Sequence, residues 1–63
     1  MKKEINKYGT IFYYGDNGFI HREDGPAIEC ANGYKSYWYN GDYYPEIKTD
    51  EEWIRFVKLM VFI

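Results

Sequence analysis

Three Asn-Gly dipeptides, Asn17-Gly18, Asn32-Gly33 and Asn40-Gly41, punctuate the middle of the chain. Asn-Gly tolerates the positive φ at both central positions that a type I′ hairpin turn requires, so three of them predict a chain that doubles back repeatedly. Between them lie runs rich in aromatic and β-branched residues: TIFYY at 10–14, FIH at 19–21, AIECA at 27–31 and YKSYWY at 34–39. Each reads as a short strand, and residues 42–44 add a fifth. Asp24-Gly25-Pro26 supplies a further turn, because glycine accepts φ > 0 and proline, lacking an N–H, starts a strand at its edge. The expectation is an antiparallel β-meander of about five short strands over residues 8–45, preceded by an N-terminal arm, residues 1–7.

The character of the chain changes at Pro45. Thr49 stands three residues before Glu52, the capping-box spacing that satisfies the unpaired N–H groups of a helix start. Asp50, Glu51 and Glu52 suit the positive end of the helix dipole. Trp53, Phe56, Val57, Met60 and Val61 then recur at i, i+3, i+4, i+7 and i+8, one apolar stripe, with Glu52, Arg55 and Lys58 outside it. This predicts an amphipathic helix over 49–61, packed by its stripe on one face of the sheet. Ile54, Phe62 and Ile63 are left over, to cover a sheet edge or make a small dimer contact. The fold class is α+β, in one domain spanning residues 1–63.

A chain of 63 residues hides only about 60% of its unfolded surface, which leaves a thin stability margin and little room for an enclosed pocket. Aromatic residues, 22% of the chain, compensate, since each ring buries about 150–250 Å². The single cysteine, Cys30, makes no intramolecular disulfide, which suits a cytoplasmic protein. Met1-Lys2-Lys3-Glu4 is followed by polar residues where a secretory leader needs about 7–15 apolar ones. The apolar run at 59–63 is far short of the roughly 20 residues that cross a bilayer. A net charge of −2 disfavours a partner held through phosphates and points mildly to a protein partner.

The densest cluster of reactive side chains is HREDGPAIE, His21 to Glu29. In an extended segment His21 and Glu23 share a face, but a metal site wants three or four converging ligands and the chain has no second histidine. Acid–base catalysis needs a group tuned by burial, for which a small meander offers little volume. Cys30 has no adjacent cation or helix start to activate it. A turn accounts for every residue: Asp24 accepts backbone N–H bonds, Gly25 and Pro26 set the geometry, and Arg22 or His21 pairs with a carboxylate. No enzyme activity, metal or cofactor is expected. The charged rim Arg22, Glu23 and Asp24 is a candidate recognition surface.

Tyrosine and tryptophan suggest the other surface. Neighbours on a strand face opposite sides, so the rings at 37–39 and 43–44 cannot all be inside. Alternation pairs Tyr37 with Tyr39 and Ser36 with Trp38; Trp38, the larger apolar ring, is assigned to the core and Tyr37 and Tyr39 to the outside. The exposed rings serve either as a binding hot spot or as cross-strand pairs that only stabilise the sheet. Stacking on single-stranded bases fits poorly, because only Lys35 is interleaved among them.

Sliding the chain on itself by about 24 residues, with one residue deleted before the second turn, sets 9–23 against 33–46: Gly9 on Gly33, Tyr13 on Tyr37, Tyr14 on Trp38, Gly18 on Gly41, His21 on Tyr44 and Glu23 on Glu46. Tyr13 thereby joins the outward set. The aromatic pair, Asn-Gly and HREDGPA that recur in this pattern resemble the short tandem repeats of bacteriophage and giant-virus proteins, which are distantly similar to MORN repeats. The second copy replaces the His-Arg block with YYPEIKTDEE, so the array reads as one and a half units closed by the helix as a cap. The resemblance implies an all-β repeat module of viral or prophage origin, in the cytoplasm of a bacterial host if phage-encoded, and no catalytic residues. Together with size and acidity it leads to a small accessory protein that binds a host protein or protein complex, as an inhibitor or modulator of a defence factor such as a nuclease complex. Its partner-binding residues are expected to be Tyr13, Arg22, Glu23, Asp24, Tyr37 and Tyr39. The alternatives are a self-associating repeat module, which includes a homodimer, and, less favoured, a nucleic-acid binder; a membrane partner is not expected.

Overall fold

The structure, a computed structural model, describes residues 2–62. Its elements are β1 (Lys2–Ile5), β2 (Ile11–Tyr14), β3 (Ile28–Glu29), β4 (Lys35–Ser36), β5 (Trp38–Tyr39), β6 (Asp42–Tyr43) and α1 (Asp50–Phe62). β1 to β4 form an antiparallel meander in chain order, and β5 with β6 forms a separate two-stranded ribbon. The fold is therefore α+β, with a meander and one C-terminal helix.

Three strand assignments change. The expected arm is a strand: β1 pairs with β2 from Lys2↔Tyr14 to Ile5↔Ile11. The turn that makes this possible runs from Asn6 to Gly9, where the Asn6 side chain accepts the N–H groups of Tyr8 and Thr10 and Gly9 takes φ +83°. Residues 19–21 form no strand and contribute a single bridge, Ile20 to Tyr14. Residues 34–39 divide at Tyr37, because the Trp38 carbonyl accepts the Arg22 N–H and the Tyr37 carbonyl the Tyr44 N–H, which draws the chain out of the first sheet and into the ribbon.

The Asn-Gly turns also differ among themselves. At Asn40-Gly41 both φ angles are positive, 49° and 87°, as a type I′ turn demands. At Asn17-Gly18 and Asn32-Gly33 only the glycine is left-handed, and the asparagine oxygen instead accepts the N–H of Phe19 or Tyr34. These Asx interactions fix the turn without a strained asparagine.

The repeat is more complete than one and a half units. Under the same 24-residue offset, Ile5↔Ile11 and Glu4↔Phe12 correspond to Glu29↔Lys35 and Ile28↔Ser36. The bonds Asn6 N–H to Thr10 O and Cys30 N–H to Tyr34 O correspond, as do His21 N–H to Tyr13 O and Tyr44 N–H to Tyr37 O. Even the Tyr14↔Ile20 bridge has its counterpart in Trp38↔Tyr43. Two units stack, joined where β2 pairs with β3. The first begins inside what the sequence presents as an arm, which is why an alignment starting at Gly9 finds only part of it.

The helix opens on a reciprocal capping box: Glu52 N–H donates to Thr49 Oγ1 and Thr49 N–H to Glu52 Oε1, each over 3.1 Å. Its stripe places Trp53 and Val57 in the core with Tyr37, ringed by Tyr39, Tyr44, Ile47, Phe56 and Met60. Val61, expected in the stripe, is 58% exposed. Eight residues from Trp53 the stripe has rotated by about 80°, and Val61 leaves the sheet behind. Ile54 is half-buried, and Ile63 lies outside the described residues.

Candidate partner-binding face

The HREDGPA run is a structural junction. His21 is buried, and its Nδ1 accepts the Asn40 N–H over 3.0 Å. The ring proton therefore sits on Nε2, which donates to Glu23 Oε2 over 3.1 Å. Arg22 is spread over three acceptors: Nε donates to Asp24 Oδ1, and Nη1 to the Pro26 carbonyl and to Glu29 Oε2. Its guanidinium lies 4.1 Å from the centroid of the Tyr13 ring. Burial disfavours the charge on Arg22, but the Asp24 hydrogen bond and the surrounding groups outweigh it and raise the pKa above its ordinary value. A Cβ on Gly25 would stand 3.1 Å from Arg22 Cζ, so glycine leaves the room that the guanidinium occupies. The Arg22 backbone completes the junction, with its N–H on Trp38 O and its carbonyl accepting the Trp53 indole N–H.

Tyr13, Arg22, Glu23 and Asp24 are thus brought together, with Tyr13 half-buried as the platform and the two carboxylates facing solvent. Tyr37, expected outside, is buried, and Tyr39, also expected outside, is half-buried. Tyr37 is 3% exposed, packs on Trp53 at 5.5 Å between ring centroids, and donates its hydroxyl to Asp50 Oδ1 over 2.7 Å. Burial first, and then that carboxylate, drive its pKa well above the usual phenol value. Tyr39 is half-buried, edge-on to His21 and against the core cluster. Alternation pairs the rings correctly but cannot choose their side. The helix start supplies an acceptor for one phenol, so Tyr37 goes in; Trp38 satisfies its indole N–H on Ser36 Oγ and stays half-buried on the opposite side.

The outward row is consequently a different set. Trp38 stacks on Tyr43 at 5.1 Å and 28°, and the hydroxyls of Tyr43 and Tyr34 meet at 3.2 Å. Tyr34 is 54% and Tyr43 44% exposed. The hydrogen bond to Tyr43, ahead of the charge interaction between the two phenols, raises the Tyr34 pKa. Strand alternation and the register Phe12↔Ile28↔Ser36 place Tyr14, Phe12 and Ile28, all half-buried, on the same side as this cluster and opposite the helix-bearing side. The sequence signal for Tyr34 is its spacing from Ser36 and Trp38, two and four residues on; Tyr43 follows from being opposite Trp38 in the ribbon.

Among the described residues no group of three or more His, Cys, Asp or Glu is placed to hold a metal, and no helix is long and apolar enough to cross a membrane. Comparison with family models, curated proteins and solved structures finds no match to this chain.

Proposed function

We propose that this chain is a small protein-binding accessory of phage or viral type, acting as an inhibitor or modulator of a host protein or complex that docks on the Tyr34–Trp38–Tyr43 face. The observation that supports this reading is a ring cluster held rigid by its own stacking and hydroxyl contact, with Tyr34 and Tyr43 open to solvent and Trp38 half-buried. Pre-ordered aromatic rings with polar tips bring large contact area at little entropic cost, which is why such residues dominate binding hot spots. The Arg22 junction plays a supporting part: it holds Asp24, and His21 holds Glu23, with both carboxylates still exposed as a rim. The viral or phage origin rests on the HREDGPA resemblance.

The test is capture from bacterial lysate with a photo-reactive amino acid at position 34 or 43, compared with one at Arg55 on the outer helix surface. A defined host protein cross-linked from the aromatic face and not from the helix supports the reading. Equal labelling from all three positions, or none, overturns it.

A further inference from the structure

We propose that copies of this chain associate head to tail, with β1 of one copy entering the open edge of β4 in the next. The chain already contains this interface once, between its own repeat units. Where the units meet, β2 pairs with β3 through Ile11↔Glu29 and Phe12↔Ile28, and Tyr13 N–H donates to Ala27 O over 2.8 Å. The 24-residue correspondence makes β4 the counterpart of β2 and β1 the counterpart of β3. Both are edge strands of the four-stranded sheet.

Their backbone groups point the right way. Asn6 N–H bonds Thr10 O, so antiparallel alternation turns Glu4 and Lys2 toward β2 and leaves the N–H and C=O of Lys3 and Ile5 facing outward. Cys30 N–H bonds Tyr34 O, and the same alternation turns Lys35 and the Tyr37 N–H away from β3. Transferring the inter-unit register puts Lys35 of one copy opposite Ile5 of the next, Ser36 opposite Glu4, and Tyr37 N–H on the Lys3 carbonyl.

Space and charge agree with that register. An open groove runs beside β4, lined by Lys35, Tyr37, Lys48, Thr49, Asp50 and Glu51. The incoming Lys3 lies on the Tyr37 side of the sheet, where the helix begins with Asp50 and Glu51. Of the two lysines in the groove, Lys48 already donates to the Pro45 carbonyl, and Lys35 stands opposite Glu29 in its own sheet. The interface is heterologous: each copy offers one end and accepts at the other, so assembly continues past the dimer unless it closes into a ring.

Sedimentation velocity of the full chain, from micromolar to millimolar concentration, is the measurement. The expected result is a mass that rises with concentration beyond two copies. Ile5→Pro removes an outward N–H and leaves the β1–β2 bonds in place, and should weaken association by about tenfold or more with the circular dichroism spectrum retained. Lys3→Glu and Glu51→Lys should each weaken it alone, while an equimolar mixture of the two regains it, because each then meets an opposite charge at both ends. A wild-type chain that is monomeric throughout overturns the proposal. So does association indifferent to Ile5→Pro and to both charge reversals, which places the contact on another surface.

Discussion

The indole N–H of Trp53 donates to the carbonyl oxygen of Arg22 over 2.8 Å, joining the helix to a turn 31 positions earlier in the chain. Trp53 is also fully buried and lies against Tyr37, Tyr44 and Phe56. One residue thus closes the helix on both repeat units. Truncation to alanine should cost about 3–5 kcal/mol, most of the stability of a domain this small. Trp53→Phe keeps much of the ring but leaves the Arg22 carbonyl without its donor, and should cost about 1–3 kcal/mol. Urea unfolding followed by far-UV circular dichroism separates the two; a cooperative, fully helical Trp53→Ala protein would show that the helix does not depend on this contact.

The helix and its partner stripe were legible because two independent signals, the Thr49–Glu52 box and the Trp53–Phe56–Val57–Met60 spacing, are local. β1 was not, since KKEI carries no strand pattern by itself; all four residues are exposed and the strand exists through its pairing with β2. The Tyr37 and Trp38 sides were undecidable from alternation, because the deciding atoms are the Asp50 carboxylate and the Ser36 hydroxyl, and only the fold brings the first of these near. The HREDGPA run is held by other means than the sequence suggests: Asp24 accepts the side-chain Nε–H of Arg22, and Gly25 takes no positive φ but leaves room for the guanidinium. Most of its side-chain donors and acceptors lie within a few residues of one another, while Tyr13, Glu29, Ser36, Trp38, Asn40 and Trp53 reach it from farther away.

Arg22 is a planar fork serving Asp24, Pro26 O and Glu29 while stacked on Tyr13, a combination a lysine cannot reproduce. Arg22→Lys should destabilise by about 1–3 kcal/mol. Gly25→Ala crowds the same guanidinium and should cost less in the Arg22→Lys background than in the native one. A double-mutant cycle measures that difference, and strict additivity would show that Gly25 does not act through the Arg22 guanidinium.

Stability should fall in alkali through Tyr37. Its folded pKa lies above the ordinary 10.0 because burial and the Asp50 carboxylate both oppose a phenolate. The unfolded chain therefore releases this proton first, and the stabilisation is whole below pH 10 and declines as pH rises above it. Tyr34, raised by its hydrogen bond to Tyr43, contributes in the same direction. Chemical denaturation between neutral pH and the onset of base damage should show a downward slope that Tyr37→Phe flattens, with Tyr34→Phe removing a smaller remainder. An unchanged slope in Tyr37→Phe would mean that this hydroxyl is accessible in the folded protein.

The outer rings should separate binding from folding. Tyr34 and Tyr43 meet through their hydroxyls and Tyr43 stacks on Trp38, and none of the three belongs to the core around Trp53. Replacing Tyr34 and Tyr43 together by serine leaves the Trp38 indole N–H on Ser36 and the Tyr37 hydroxyl on Asp50, so helix content and cooperativity should stay close to wild type. Loss of two hot-spot rings should weaken partner binding by about 2 kcal/mol or more. The matching change of Tyr37 and Tyr39 to serine removes the core ring and the His21 contact, and should unfold the chain before binding can be measured. Titration of the purified partner against both double variants, beside thermal melts of each, gives the comparison. A Tyr34/Tyr43 variant that melts normally and binds undiminished would move the interface off this face, to the Leu59 and Val61 end of the helix, where two large apolar side chains are also exposed.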